Sequence, residues 1–309
     1  MAIYITVDGG TTNTRLYLVK DGCVLDSLKL GDGVKSGTAA LKAALSEGIT
    51  EILEKNSLVQ TDISQILASG MITSEYGLVS LSHICLPAGK RELHDSIFST
   101  AFEDVTSIPW SFIRGVKRDN GILDDTDMMR GEETEIVGIV NGSGEDSLYI
   151  LPGSHSKHIR VDKNENITDI RTMLSGELFA AVMEHTILKD AADFEHNTIV
   201  DQKLIQGCEY ARLHGVNEAM FKTRILKNLF NASKEDCYSF LMGAVLCAEV
   251  DAIVDASENN VIIGGQKQLK NALSILLQHY SDKNIITLSK EAVDCSTAIG
   301  AVRIFEYSK

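Results

Sequence analysis

Residues 7–15 read VDGGTTNTR, and they stand between IYIT (3–6) and LYLV (16–19), two segments dominated by β-branched, aromatic and aliphatic side chains. Such flanks predict two strands joined by a turn of glycines and hydroxyls. Glycine removes the Cβ obstruction and lets backbone N–H groups point into a concavity, so this corner suits close approach to a polyphosphate. An aspartate there would repel phosphate unless a divalent cation lay between them, and Mg²⁺ held by one carboxylate, water and phosphate oxygens is the usual arrangement. Asp8, Gly9, Gly10, Thr11, Thr12 and Asn13 are therefore candidate phosphate-binding residues, with Asp8 the candidate metal ligand. The plainer alternative is an Asx-type turn; the TTNT run behind the glycines favours the phosphate reading.

Outward from this corner, Asp21 and Gly22 turn the chain into a third strand near residues 24–30, giving a meander. Leu41, Leu45, Ile49, Ile52 and Leu53 then fall on one helical face, with Thr38 available as N-cap. Further on, helices are expected near 132–141, 175–188, 218–230, 234–256, 266–280 and 291–307, and strands near 147–151, 157–161, 167–173, 260–264 and 284–288. A second corner of the same kind follows the first by 143 positions: SLYIL, then PGSHSK, then HIRV, with Gly153 and Ser154 in the places of Gly10 and Thr11. The fold class expected is α/β, built as two related domains that each carry one phosphate-facing hairpin. Their expected extents are 1–120 and 121–309.

Composition narrows the function. The chain has 309 residues, 44% of them hydrophobic and 23% charged, and a formal charge of −14, which argues against affinity for nucleic acid. No apolar run is expected to cross a bilayer and the first residues lack signal-peptide regions, so no membrane partner and a cytoplasmic location are expected. Six cysteines without a CxxC pair fit reduced thiols. A homodimer is left open. There is no P-loop, dinucleotide fingerprint, HExxH or GxSxG.

VDGGTTNTR and LPGSHSK look like the first and second phosphate motifs of the superfamily of sugar kinases, Hsp70 and actin, and VIIGGQ (261–266) resembles its adenosine motif. More narrowly, SGMITSEYG, DMMRGEETEIVG, LPGSHSKHI, RTMLSGELFA and SFLMGAVLCAEV resemble, in order, blocks spread along the 2-keto-3-deoxygalactonate kinases. MRGEET with PGSHSK is the most specific part. The chain departs from the family's habit at Gly9, Ser154, His158, Leu174 and Ser175, all of which keep the turn chemistry. The resemblance implies two ribonuclease H-like domains of the actin-like ATPase fold around a nucleotide cleft, with ATP and Mg²⁺. It implies transfer of the γ-phosphoryl group to the terminal hydroxyl of a 2-keto-3-deoxy sugar acid. Rivals are a kinase of the same fold for another small sugar or sugar acid, and a nucleotide-gated binding protein that does not transfer phosphate.

Such a transfer needs in-line positioning, charge neutralisation and a base for the hydroxyl proton. The candidates for the base are Glu132, Asp127 and Glu133; Glu132 opens an expected helix 21 residues before Gly153, the spacing seen in carbohydrate-kinase relatives. Acidic residues here also serve simply to complement a helix N-terminus. Arg130 offers a planar fork for the substrate carboxylate. Arg15 and Lys157 are placed to reach phosphates, and His155 to donate to one or to close its turn. Gly70, Met71 and Ser74 are candidate sugar-site residues, Met71 being equally a core filler. Gly264 and Gly265 are candidates for lying against adenine. CSTAIGAVRI (295–304) suggests close helix packing at a domain junction.

Overall fold

A computed structural model describes residues 2–140, 142 and 144–307. In chain order the elements are β1 (Ile3–Gly9), β2 (Thr14–Lys20), β3 (Cys23–Leu30), α1 (Thr38–Lys55), β4 (Gln65–Gly70), β5 (Ile84–Cys85), α2 (Lys90–Asp95), β6 (Phe98–Phe102), β7 (Thr106–Phe112), β8 (Val116–Asp119), β9 (Thr126–Met129) and α3 (Glu132–Ile139). There follow β10 (Ser147–Leu151), β11 (Ser156–Val161), β12 (Ile167–Met173), α4 (Ser175–His185), α5 (Asp201–His214), α6 (Val216–Phe230), α7 (Lys234–Val254), β13 (Asn260–Ile263), α8 (Lys267–Tyr280), β14 (Asn284–Thr287) and α9 (Lys290–Phe305).

The chain divides into two compact units, the first made of Met1–Glu145, Val161–Ile170 and Lys290–Lys309, the second of Asp146–Arg160 and Arg171–Ser289. The expected cut after residue 120 falls inside the first unit. The reason is pairing: β8 and β9 are antiparallel partners that straddle that cut, with Arg118 opposite Asp127. The C-terminal helix also returns to the first unit, which no contiguous division of the chain can express.

In the first unit the main sheet runs β3-β2-β1-β4-β7-β6. β1 pairs antiparallel with β2 and parallel with β4, and Gly9 lies opposite both Thr14 and Gly70. β1 and β2 are apolar on both faces because helices cover the sheet: Leu41, Leu45, Ile49 and Ile52 of α1 join Ile5, Leu16, Leu18 and Ile66 in the core. Trp110 and Phe112 stack at 5.7 Å within the same cluster. A small sheet, β5-β8-β9, leads into α3.

In the second unit the sheet runs β12-β11-β10-β13-β14, with β13 parallel to β10 and β14. By rank along the chain this sheet runs 3-2-1-4-5 and the other 3-2-1-4-6-5, so the first four positions coincide, which bears out the duplication read from the two corners. α4, α5, α7 and α8 cover it, their apolar faces meeting Leu148, Ile150, Val261 and Ile263. α7 corrects one expectation: its 21 residues are long and apolar enough to span a bilayer, yet most of the helix is buried in the protein interior. It is the central core helix of its unit.

Candidate active site

Two glycine-cornered turns organise the site residues, one in each unit. The first is the four-residue link between β1 and β2. The Gly10 N–H donates to the Asn13 carbonyl at 3.0 Å, and the turn is backed by residues 33–36, where the Val34 and Lys35 amides donate to the carbonyls of Gly10 and Thr11 at 3.2 and 3.0 Å. A Cβ at Gly33 would lie 2.6 Å from the Asn13 nitrogen, so the sequence can support this turn from behind only with glycine. Thr11 and Thr12 are exposed, and their amides donate to no protein acceptor among the described residues. Exposed, aligned and unpaired N–H groups are what an anion-binding turn presents.

At the base of the turn three backbones converge. A Cβ at Gly70 would meet the Gly9 carbonyl oxygen at 2.7 Å and Asp8 Oδ1 at 3.5 Å, and a Cβ at Gly131 would meet the Gly70 Cα at 3.2 Å. Gly70 and Gly131 both have positive φ, 83° and 113°, which side chains resist. The tip of β1, the end of β4 and the start of α3 are thereby brought into contact, and the acidic residues come with them. Glu132 acts electrostatically on Asp8, on Glu133 and on Glu135, so these four share one field. Burial is the main cause that raises Asp8 above the usual carboxylate range; Arg15, 3.8 Å away, opposes it and Glu132 adds to it. The Asp8 side chain keeps 27% of its surface exposed and that of Arg15 keeps 50%, so both reach solvent.

The rival bases separate by their partners. Glu133 is fully buried and both its oxygens accept from the Gly131 N–H, at 2.9 and 2.8 Å. Burial first and Glu132 second push its pKa up to about 8. It holds the backbone at the entry to α3. Asp127 lies on β9, its Oδ1 accepting from the Met128 amide at 2.7 Å. Glu132 accepts from the Arg130 amide at 3.0 Å through Oε2 and is partly exposed at the first position of α3.

Arg130 is placed differently from the expectation. Its guanidinium is turned inward: Nη1 donates to the Thr73 carbonyl at 2.8 Å and to Thr73 Oγ1 at 2.6 Å, and Nη2 to the Leu81 carbonyl at 3.0 Å. A fork so engaged does not present itself to a substrate carboxylate. Among the sugar-site candidates, Met71 packs against the core of its unit, and Ser74 Oγ donates to the Met71 carbonyl at 2.7 Å.

In the second unit, Gly153, Ser154 and His155 make the turn between β10 and β11. The end of β13 crosses it: the Gly264 amide donates to the Ile150 carbonyl at 2.9 Å, the Gln266 amide to the Pro152 carbonyl at 2.8 Å, and a Cβ at Gly265 would lie 2.3 Å from that same oxygen. The start of α4 presses on the other side, with a Cβ at Gly176 only 2.1 Å from the Gly153 carbonyl. Sequence reasoning had the turn and the glycine pair but not their juxtaposition. His155 Nε2 pairs with Glu177 at 2.8 Å, an exposed contact. Lys157, expected to reach a phosphate, is buried, and its Nζ donates to Thr172 Oγ1 at 2.8 Å on β12.

Beside this turn a cavity of about 250 Å³ is lined by Ser154, Gly176, Phe179, Tyr238, Met242 and Gln266, among others. Apolar and aromatic walls with a few amide and hydroxyl groups suit a flat heterocycle. Phe179, Tyr238 and Met242 were legible in the sequence only as core positions of α4 and α7; no local signal marks which core side chains border a void.

The family model of 2-keto-3-deoxy-galactonokinase matches residues 8–296. The chain belongs to the 2-keto-3-deoxy-galactonokinase family. Within it, this member is 27% identical to the 2-dehydro-3-deoxygalactonokinase of Escherichia coli (strain K12) over 259 residues, covering 82% of this chain and 81% of that one. Its fold is similar to a Sinorhizobium meliloti crystal structure provisionally given the same activity (TM-score 0.78, 22% identity, 99% of each chain). It is also similar to the activator of the 2-hydroxyisocaproyl-CoA dehydratase from Clostridium difficile, solved with ADPNP (TM-score 0.57, 14% identity, 99% and 95% covered). The family member is thus an ATP-dependent sugar kinase with the actin-like ATPase fold, as the motifs implied.

Proposed function

We propose that this kinase transfers the γ-phosphoryl group of ATP to the 6-hydroxyl of 2-keto-3-deoxygalactonate, a step of galactonate catabolism. The observation that carries the residue-level reading is the convergence of Gly9, Gly70 and Gly131, which sets Glu132 in one electrostatic field with Asp8 beside a turn of unpaired amides. In this reading Glu132 accepts the proton of the acceptor hydroxyl as its oxygen bonds to phosphorus and the bond to the ADP oxygen breaks. The amides of Thr11 and Thr12 and the side chain of Arg15 receive phosphate oxygens. The turn at Gly153 and Ser154 does the same in its unit, and the adjoining cavity takes the adenosine, with Gly264 and Gly265 leading to Gln266 in its wall.

Mg²⁺ fits the donor set, because Asp8 offers a hard, partly exposed carboxylate oxygen in an acidic field that a divalent charge would relieve. Among the described residues no three His, Cys, Asp or Glu side chains are grouped to hold a metal alone, so the remaining ligands would be phosphate and water. When bound, the ion neutralises charge on the phosphates. Residues 70–74 border the same convergence and are assigned to the acceptor.

The test is ADP release by the purified chain with ATP, magnesium and a panel of 2-keto-3-deoxy sugar acids. The greatest kcat/KM is expected with 2-keto-3-deoxygalactonate. Greater kcat/KM with another acid or sugar selects the first rival, and slow ATP turnover indifferent to every acid selects the nucleotide-gated binding protein.

A further inference from the structure

Residues 71–83, which follow β4, form a loop folded on itself. The Ser74 amide donates to the Met71 carbonyl at 3.0 Å, Gly77 to Ser74 at 2.9 Å, Leu78 to Ile72 at 2.9 Å and Leu81 to Thr73 at 3.1 Å. Gly77 lies so close to the Ile72 backbone that a Cβ would stand 2.1 Å from its carbonyl oxygen. Yet the loop has neither strand partner nor helical length after Thr73 to fix it in the unit. It is held by Ile72 in the core of the unit, by Met71, Leu78, Val79 and Leu81 against that core, by Arg114, whose Nη1 donates to the Ser82 carbonyl and Oγ at 3.1 Å each, and at both limbs by Arg130. One guanidinium grips the loop at both limbs, at Thr73 through two bonds and at Leu81 and His83 through two more, the last at 3.3 Å to His83 Nδ1. Arginine can only donate, so His83 Nδ1 is the acceptor there. The same residue's amide donates to Glu132, and its neighbour Gly131 touches Gly70, where the loop begins.

We propose that Arg130 is a positioning residue that locks the 71–83 loop to the entry of α3, so that the acceptor-binding segment and the base Glu132 move as one piece. This rests on the assignment of Glu132 as base and of residues 70–74 to the acceptor. The fork serves this purpose as a lysine would not, because its planar donors satisfy two separated carbonyls, a hydroxyl and an imidazole at once. Removing it strands the partly buried Leu81 carbonyl, leaves the Thr73 carbonyl only its bond from the Leu81 amide, and loosens the loop. The substrate's cost is then the ordering of that loop, which appears in the acceptor's KM and not in that of ATP.

Arg130→Ala, Arg130→Lys and Thr73→Val are compared by steady-state kinetics and by hydrogen–deuterium exchange. Arg130→Ala is expected to raise the acceptor KM about tenfold or more, the scale of losing bonds to a charged group, with the ATP KM within about twofold. Exchange should quicken at 71–83 and at the start of α3 and nowhere else, and added ethylguanidinium should recover part of the acceptor KM. Thr73→Val, which loses the Arg130 bond to Oγ1 and the bond from Oγ1 to the Gly70 carbonyl but keeps the other Arg130 bonds, should show a smaller shift in the same direction, and Arg130→Lys should fall between. An unchanged acceptor KM, equal rises in both KM values, or exchange that quickens throughout the unit overturns the proposal. If Arg130→Ala does not fold, the other two variants decide by the same criteria. Exchange needs no turnover, so a wild-type chain inactive on every acid sinks the proposed function while the staple is still judged by its protection pattern.

Discussion

At Glu132 the difference between a helix-start acid and a base is one of partners. Glu133 is fully buried and gives both oxygens to Gly131, Asp127 sits on a strand of the small sheet, and Glu132 combines partial exposure with the field it shares with Asp8, Glu133 and Glu135. Glu132→Gln is therefore expected to lower kcat by roughly 10²- to 10⁴-fold with both KM values little changed, while Asp127→Asn stays within about threefold. Equal losses for the two amides would return the role to the whole cluster. The buried Glu133 makes a separate prediction. Its carboxyl is raised from 4.5 to about 8, chiefly by burial, and burial raises Glu135 to about 8 as well. The folded state keeps protons that the unfolded chain releases above its ordinary value, so stability is greatest at low pH within this window and declines as pH rises toward 8. Asp26, Asp119 and Asp193 are lowered instead and titrate below the window. The melting temperature of the ligand-free protein should fall between about pH 5.5 and 8.5, and less so in Glu133→Gln; a rise across that range would contradict the burial. The acids and glycines of this site were legible in the sequence as residue types in order. The inward turn of Arg130 was not, because its partners are 47 to 57 positions away and half of the acceptors are backbone carbonyls, which every residue carries.

Helix α3 has only eight residues and could not stand alone in water, so the placement of Glu132 depends on what braces it. That brace is α9. A Cβ at Gly300 would lie 1.8 Å from the Thr134 carbonyl oxygen, one at Gly138 would lie 1.9 Å from that of Ser296, and Arg303 Nη1 donates to the carbonyls of Val137, Gly138 and Val140, each at 3.1 Å. The small-residue run 295–304 was read as helix packing, which it is, but the partner is α3 within the first unit instead of a domain junction. Gly300→Ala is expected to destabilise by about 1–3 kcal/mol through overpacking, and Arg303→Ala by about 1 kcal/mol through uncapped carbonyls. Thermal denaturation checks both; a Gly300→Ala protein melting with the wild type would mean that the helices are not held at that distance. The sequence reading missed two helices, the six-residue α2 and the longer α5. Gly207 and a mixed polar face obscured the period of α5, yet the glycine marks a crossing, its Cβ position lying 1.9 Å from the Phe240 carbonyl oxygen on α7. Glycine at a helix crossing and glycine as a helix breaker look alike until the partner helix is known.

Across the molecule, the repeated strand order explains why two short motifs far apart predicted the architecture: each marks the first hairpin of its sheet, and a hairpin fixes the pairing of its neighbours. What could not be read was the division of the chain, since α9 and the β11–β12 turn belong with a unit begun much earlier. The duplication also separates glycines that the fold requires from one that it does not. At Gly10 a Cβ would stand 2.6 Å from the Asn13 carbonyl oxygen, whereas at Gly153 it would meet nothing within 4 Å. Neither has the positive φ that would penalise alanine for backbone reasons. Gly10→Ala should therefore destabilise the first unit, by about 1–3 kcal/mol, whatever the ligand. Gly153→Ala should leave the melting temperature of the ligand-free protein within about 1 °C. If the open space at Gly153 is where phosphate oxygens approach the backbone, the same alanine raises the KM for ATP by roughly tenfold and leaves that of the acceptor unchanged. An unaltered KM for ATP in a normally folded Gly153→Ala protein would remove this turn from the nucleotide site, and with it the reason for a glycine at a position where the fold has room for a Cβ.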